Sequence, residues 1–474
     1  MAPFKGSAPG HPLDVETGIM KYVIFSMVVI GVIPMIVMFC SNIRFMRYAM
    51  LGLVLPIIVF EQVSINFISH EWYRGTSRGL EISVIYLVAF SIFMTTIIRW
   101  GKPSLFPDWG SKIYLMYFIM SLMSFTNAAK SLFSFFELWK MMMMYLLFIT
   151  IYNYVVKTRD FKIVFIGLDI IVIVAFLWVV KEHVSGIWQV RSFFPHQNSM
   201  SMYLTVLGTL CLARYIVSDR HSMKLLMLFL MASACVFRTY SRGAIACYPF
   251  GCAITGTVCL LLNVKPRKMF LTMPLVVFGI LGVLLSIPRI IERFETASPQ
   301  SGNTRIELAQ AAKNMIEDEP MLGVGLNNWG IKINYPYTYG EPLKDFAYEE
   351  GQRNGIVETI YLLVAAECGI PALVLLLAWF FFYWTKAFIL VFKTQKTKYF
   401  FLPAGLLGGL SSIYSQSVLE WVLKQQINFM QLMICFALLA ALGTIMKQIE
   451  IKEKEKRLGT LQKEEYDGAT VCIA

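Results

Sequence analysis

The sequence predicts an all-α fold: a polytopic integral membrane helical bundle of about 12–13 spans, interrupted once by a large outward-facing loop that carries an amphipathic helix. Three observations predict it. Apolar residues make up 57% of the 474 residues and only 15% are charged, whereas a soluble domain carries about a quarter charged residues. Runs of about 20 apolar residues, each long enough to cross a ~30 Å hydrocarbon core as a helix, recur from end to end. One stretch, 288–355, breaks this rhythm and is polar, aromatic and rich in Gly, Pro and Asn. Alternation at period two is absent, which excludes a transmembrane β-barrel.

A polar segment, 1–20, comes first, with no basic n-region or small-residue cleavage site, so the apolar run after it reads as a retained span. Candidate spans at 21–40, 48–68, 79–99, 112–127, 132–155, 161–180, 197–217, 223–239, 243–263 and 268–287 make a bundle over 21–287. After the loop 288–355, spans at 356–392 (long, with a bend at Pro371), 399–418 and 426–447 complete the membrane part over 356–447, and a charged tail covers 448–474.

Basic clusters fall in alternate loops: Arg44 and Arg47; Lys157, Arg159 and Lys162; Arg214, Arg220 and Lys224; Lys265, Arg267 and Lys268; Lys393, Lys396 and Lys398; and the tail from Lys447. The positive-inside rule puts these on the cytoplasmic side and turns the loops 69–78, 181–196, 288–355 and 419–425 outward. The net charge of +12 is therefore a topological signal, and no nucleic-acid partner is expected. Most of the nine cysteines sit inside spans as small apolar residues, and no CxxC pair exists. The five histidines are scattered, with none at ligand spacing to another, so neither metal nor cofactor is expected.

The loop 288–355 is far longer than the usual ~2–8 residue connection and has internal structure. In "NTRIELAQAAKNMIEDEP", Thr304 and Glu307 form a capping box, and Ile306, Ala309, Ala312 and Ile316 make an apolar stripe. This predicts an amphipathic helix over about 304–317, lying at the membrane surface or over the bundle, with Arg305 in its first turn, where an external anion would relieve it. "PMLGVGLNNW" follows; Gly323 and Gly325 lack the rest of a phosphate loop and predict a tight turn against neighbouring backbone.

Other charged groups cluster at outer span ends. Arg191 in "QVRSFFPHQNSMSMYL" presents a planar fork of donors that suits phosphate. His196 and Asn198 follow it; His196 reads as a proton carrier, a phosphate donor or an interfacial cap. Arg242 in "YSRGA" opens a span and is an anion ligand or a snorkelling boundary residue. "GIVETIYLLVAAECGIP" holds two carboxylates nine residues apart, on nearly opposite helix faces, so they cannot work on each other. Glu358, near the outer end, is placed to meet the arginines; burial raises its pKa and they lower it. Glu367 lies deeper and reads as a structural carboxylate.

Four stretches in this order, "RSFFPHQNSMSMYL", "TYSRGA", "NTRIELAQAAKNMIEDEPMLGVGLNNW" and "IYLLVAAECGIPAL", resemble the O-antigen ligase and polymerase family from about Arg191 to Pro371. The resemblance implies a bacterial inner-membrane glycosyltransferase of the GT-C type, multi-pass, with its active site facing the periplasm. Such enzymes move glycan from a polyprenyl-pyrophosphate donor to a glycan or lipid-glycan acceptor, among membrane lipids and without metal or nucleotide. Carried onto this chain, the family's donor-holding arginines would be Arg191 and Arg305, with Arg242 behind them. The ligases have a His-Asn pair before the "YL" of the last stretch, the His serving as base. Glu358 and Thr359 stand there instead. A carboxylate suffices to deprotonate an acceptor hydroxyl as an oxocarbenium-like centre develops, but the change points away from lipid A ligation in particular. A polymerase, or a ligase for another surface glycan, stays open.

The resulting assignment makes Glu358, Arg191 and Arg305 catalytic, with Arg242, His196, Asn198 and Arg353 contacting sugar or phosphate. The rival is a transporter or flippase for lipid-linked glycan or another solute, in which Glu358 and Glu367 would carry protons or ions. No repeat relates the two halves of the chain, and the candidate charges gather at one face rather than at the midplane.

Overall fold

The computed structural model describes residues 22–23, 25–55, 64–69, 73, 75–218, 222–263, 299–343 and 355–471. The expected span 268–287, the segment 1–20 and Arg353 lie outside them. The described chain is almost wholly helical: α1 (Ile33–Cys40), α2 (Ile43–Val54), strands β1 (Ser64–Ser69) and β2 (Gly79–Ser83), then α3 (Val84–Trp100), α4 (Trp109–Met123), α5 (Ser131–Thr158), α6 (Phe161–Val184), α7 (Gln197–Val217), α8 (Met223–Arg238) and α9 (Arg242–Leu262). After them come α10 (Pro299–Asp318), the short α11 (Trp329–Lys332), α12 (Ile360–Thr394), α13 (Phe401–Gln416) and α14 (Gln426–Val471). Six helices, α5, α6, α7, α9, α12 and the Gln426–Glu455 part of α14, are long and apolar enough to cross a membrane; Val84–Trp100 is a shorter apolar helix.

The centre of the bundle is α7 and α14, the most completely buried spans. Helices α8, α9 and α13 surround α7, and α5 lies along α14. Small residues let these helices close up: a Cβ on Gly408 of α13 would stand 2.3 Å from the Gly251 carbonyl oxygen of α9, the close approach that packs helices where lipid supplies no hydrophobic drive.

The two ends of the bundle differ. At one, basic residues pair with carboxylates: Arg47 with Asp160, Arg214 with Asp169, and Lys393 with Glu450. At the other gather the described parts of the four loops expected to share a side.

Two corrections belong to these loops. The runs 48–68 and 79–99 are not uninterrupted spans. Ser64 and Asn66 alternate with Ile65 and Phe67, and 64–69 pairs antiparallel with 79–83, Ile65 opposite Ile82, with a register shift between Asn66 and Ser69 that ends the alternation. The amphipathic helix also begins earlier than its capping box: it runs from Pro299, a residue whose fixed φ suits a first helical turn. Thr304 and Arg305 therefore lie inside it. Its buried stripe is Leu308, Ala311, Ala312 and Met315, while Ile306 is 70% exposed. That stripe packs with Trp329, Val357, Leu363 and Ala366 in a small second core over the end of α12, so the helix covers the bundle.

Helix α12 breaks at Gly369 (φ 83°, ψ 169°), two residues before Pro371. A break would strand backbone groups at membrane depth, where each costs several kcal/mol. The turn 320–325 satisfies them. Val324 N–H donates to the Ala366 carbonyl (2.9 Å), Gly325 N–H to that of Glu367 (3.0 Å), and Ile370 N–H to that of Pro320 (2.8 Å). The expected tight turn is present, with positive φ at Gly323 and Gly325. Asn327 then ties it down, accepting Thr76 N–H (2.8 Å) and donating to the carbonyls of Ser77 and Phe133 (2.8 Å each).

Candidate active site

Helix starts and one short loop place the charged groups. His196 is the N-cap of α7, its Nδ1 accepting Asn198 N–H at 3.2 Å, so the capping alternative describes its local role. Burial, then the neighbouring Arg191 charge, lowers the His196 pKa. The segment before it is held by Glu182, which accepts the N–H groups of Arg191 (3.0 Å) and Ser192 (2.8 Å), leaving the Arg191 side chain at the surface. Arg242 opens α9 behind the Ser241 cap.

On α10, Arg305 Nη2 donates to Glu358 Oε2 at 2.9 Å. Both side chains are about one-third exposed (35% and 37%), so the pair adds little net stability. Its value is positional. Burial raises the Glu358 pKa, and Arg305 and Arg242 pull it back part of the way. These three expected site residues are thus brought together electrostatically.

Sequence reasoning missed a fourth member. Glu420, in the loop between α13 and α14, is 4% exposed, and Asn198 Nδ2 donates to its Oε1 at 2.6 Å. Burial, then the like charge of Glu358, drives its pKa up to about 7; the Asn198 bond, Arg305 and Arg242 oppose the rise. A carboxyl with that pKa is poised to give or take a proton at neutral pH. Asn198 and His196 join the cluster through it, and Arg191 flanks them on the His196 side.

Beneath lies a separate ion network. Lys424 Nζ is 2.9 Å from Glu367 Oε2 and 3.8 Å from Glu137 Oε1, and Lys140 Nζ is 2.7 Å from Glu137 Oε2. Glu367 is 0% exposed and Glu137 1%. Lys140 also donates to the Lys424 carbonyl (3.1 Å), and Thr76 to Glu137 (2.8 Å). The paired, hydrogen-bonded geometry is what a buried charge requires, and it gives Glu367 the structural place expected of it. Glu358 and Glu367 do face different partners. Among the described residues, no group of three or more His, Cys, Asp or Glu gathers as metal ligands.

The segment that holds Arg242, Arg305, Glu358, Glu367 and the broken helix is also the one that known families recognise. Residues 226–377 match the family model described as O-Antigen ligase. Over this segment, about a third of the chain, the sequence is similar to the O-antigen ligase family. The family match supports an O-antigen ligase or polymerase type of membrane function in polysaccharide biosynthesis. No curated protein matches the chain. Arg191, His196 and Asn198 precede the matched segment and Glu420 follows it, so the geometry adds to the family segment from both sides.

Proposed function

We propose that the chain is a glycosyltransferase that moves a glycan from a polyprenyl-pyrophosphate donor to a sugar hydroxyl at the periplasmic face of the bacterial inner membrane, in surface polysaccharide ligation or polymerisation. The observation that carries this reading is the convergence of Arg305, Arg242, Glu358 and Glu420 at one end of the bundle. The acceptor oxygen attacks the anomeric carbon as the bond from that carbon to the pyrophosphate oxygen breaks. The electron pair leaves on pyrophosphate, whose charge Arg305 and Arg242 neutralise, with Arg191 reaching the same anion from the His196 side. Attack from the far face inverts the centre.

The hydroxyl proton passes to the carboxylates. Glu358, held by Arg305, orients the hydroxyl, and Glu420 at about 7 completes a pair that titrates as a unit and takes up one proton. The Asn198 amide, fixed on Glu420, and Arg353 serve sugar or phosphate contacts. Transport by a relay from Glu358 to Glu367 finds less support, because Glu367 is fully buried and paired with Lys424.

The test is genetic and chemical. The gene is deleted, the surface glycan is displayed on a gel, and the strain is complemented with wild type, Glu358→Ala, Arg305→Ala or Glu420→Gln. Loss of the long ladder with single repeats left on the acceptor identifies a polymerase. Carrier-linked chains that never reach an acceptor identify a ligase. Full activity from all three variants overturns the site.

A further inference from the structure

A cleft of about 290 Å³ opens beside the carboxylate pair, between the β-hairpin, α5 and the start of α14. Six of its lining residues carry the argument: Arg78, Trp139, Lys140, Trp421, Gln425 and Gln426. Trp421 directly follows Glu420, and Pro195, also in the wall, directly precedes His196. These chain neighbours place the cleft next to the site. We infer that it is the saccharide subsite that receives the acceptor glycan; this rests on the transferase reading and specifies the ligand class of its second substrate.

The lining has the two surfaces a sugar needs. Indole rings offer flat apolar area that keeps a polar edge satisfied, and amide side chains offer donors and acceptors together. Trp139 is pinned by its Nε1–H donating to the Glu81 carbonyl (3.1 Å), and Gln426 by its Nε2 donating to Tyr86 Oη (3.0 Å). The hairpin wall is held by Asn327 through Thr76 and Ser77. The site is preformed, so binding loses little to ordering. Gln425 Oε1 is a buried acceptor that receives no hydrogen bond among the described residues. A buried acceptor left unmet is costly, and a sugar hydroxyl is a donor of the right size to meet it.

Charge separates acceptor sugar from donor pyrophosphate. Lys140 is paired with Glu137 at 2.7 Å, and Arg78 shares the lining with the carboxylate of Glu81. The unmet acceptor in the lining belongs to a neutral amide, that of Gln425. A neutral glycan fits this balance, and under the proposed function the pyrophosphate is held apart from it, at Arg305 and Arg242.

The experiment uses the full chain purified in detergent and a neutral oligosaccharide of a few repeat units, released from the host's own surface polysaccharide. Binding is read by saturation-transfer NMR and tryptophan fluorescence, with inorganic pyrophosphate as the competing probe. Wild type is expected to bind the oligosaccharide, and pyrophosphate to leave it in place. Trp139→Ala and Gln426→Ala are expected to lose at least tenfold in affinity, with Trp139→Phe restoring most of it; size exclusion confirms the fold of each. Arg305→Ala is expected to keep oligosaccharide binding while losing transfer. No binding by wild type, unchanged affinity in both cleft variants, or displacement by pyrophosphate overturns the subsite. If the cleft variants lose binding while Arg305→Ala and Glu358→Ala still transfer glycan, the subsite stands and the proposed catalytic site falls.

Discussion

Replacing Glu420 by Gln should stabilise the protein, and by more as the pH rises. Gln keeps the shape of the side chain and an Oε1 that accepts from Asn198, so the bond seen at 2.6 Å survives. What disappears is the cost of a buried charge facing Glu358. The Glu420 pKa stands at about 7 against an ordinary 4.5, and at 1.36 kcal/mol per pH unit that difference is about 3 kcal/mol. The residue is 4% exposed, so little of this is screened. The sign follows from linkage. A carboxyl whose folded pKa is raised holds its proton in the fold through the window from 4.5 to about 7. Its stabilising effect is complete below 4.5 and is lost as pH climbs to about 7. The variant, having no proton to lose, escapes that loss. Thermal melts of both proteins in the same detergent, at steps from pH 4.5 to 8, measure it. The gap should be near zero at pH 4.5, widen to about pH 7 and then level off. A gap that stays constant over that range, or a variant less stable at pH 8, would refute the reasoning.

Further outcomes follow from the same contacts. Glu358→Gln removes the like charge that helps raise Glu420, so the midpoint of Glu420 titration, read by carboxyl infrared bands, should move below about 7. Arg305→Ala removes an opposing charge and should move it up; shifts of the opposite sign in both variants would dismantle the coupled pair. Lys424→Met strands Glu367 and should cost about 3–5 kcal/mol, whereas adding Glu367→Gln to it should recover part of the loss. Strictly additive losses in that cycle would mean the two side chains do not interact. Gly369→Ala puts a Cβ 2.3 Å from the Met321 carbonyl oxygen at φ 83°; strain from φ alone is about 1–3 kcal/mol, and an undiminished melting temperature would show that the break relaxes freely.

Helical spans and the meeting of Glu358 with an arginine were legible in the sequence, because hydropathy reports the membrane directly and a carboxylate next to an apolar run demands a partner. Glu420 was not. "SQSVLEWVLKQQ" reads as a short polar link, and only the folded loop shows that this glutamate turns inward onto Asn198. The hairpin stayed hidden because 64–69 carries just three polar residues, at a spacing that a hydropathy window averages away. The stripe on α10 was assigned to Ile306 rather than Leu308 because an alanine-rich helix has more than one plausible apolar face. Contact with α12 chooses between them, and that choice is tertiary. Buried partners such as Lys424, 57 residues beyond Glu367, are likewise set by the packing of α13 and α14.

That separation also fixes an order of events at birth. Glu137 and Lys140, a single turn apart on α5, leave the ribosome together as a neutral pair. Glu367 emerges 57 residues ahead of Lys424, about 3–11 s at the ~5–20 residues per second of synthesis. The turn 320–325 is made before α12, so the backbone partners for its break are waiting; the cation for its carboxylate is not. The first third of α12 is therefore expected to finish docking only once the loop after α13 has been made. Nascent chains stalled just before Trp421 should leave Cys368, buried in the finished protein, open to a small thiol reagent. Chains stalled well past Lys424 should protect it. Equal labelling on both sides of that window would mean the span docks without its lysine.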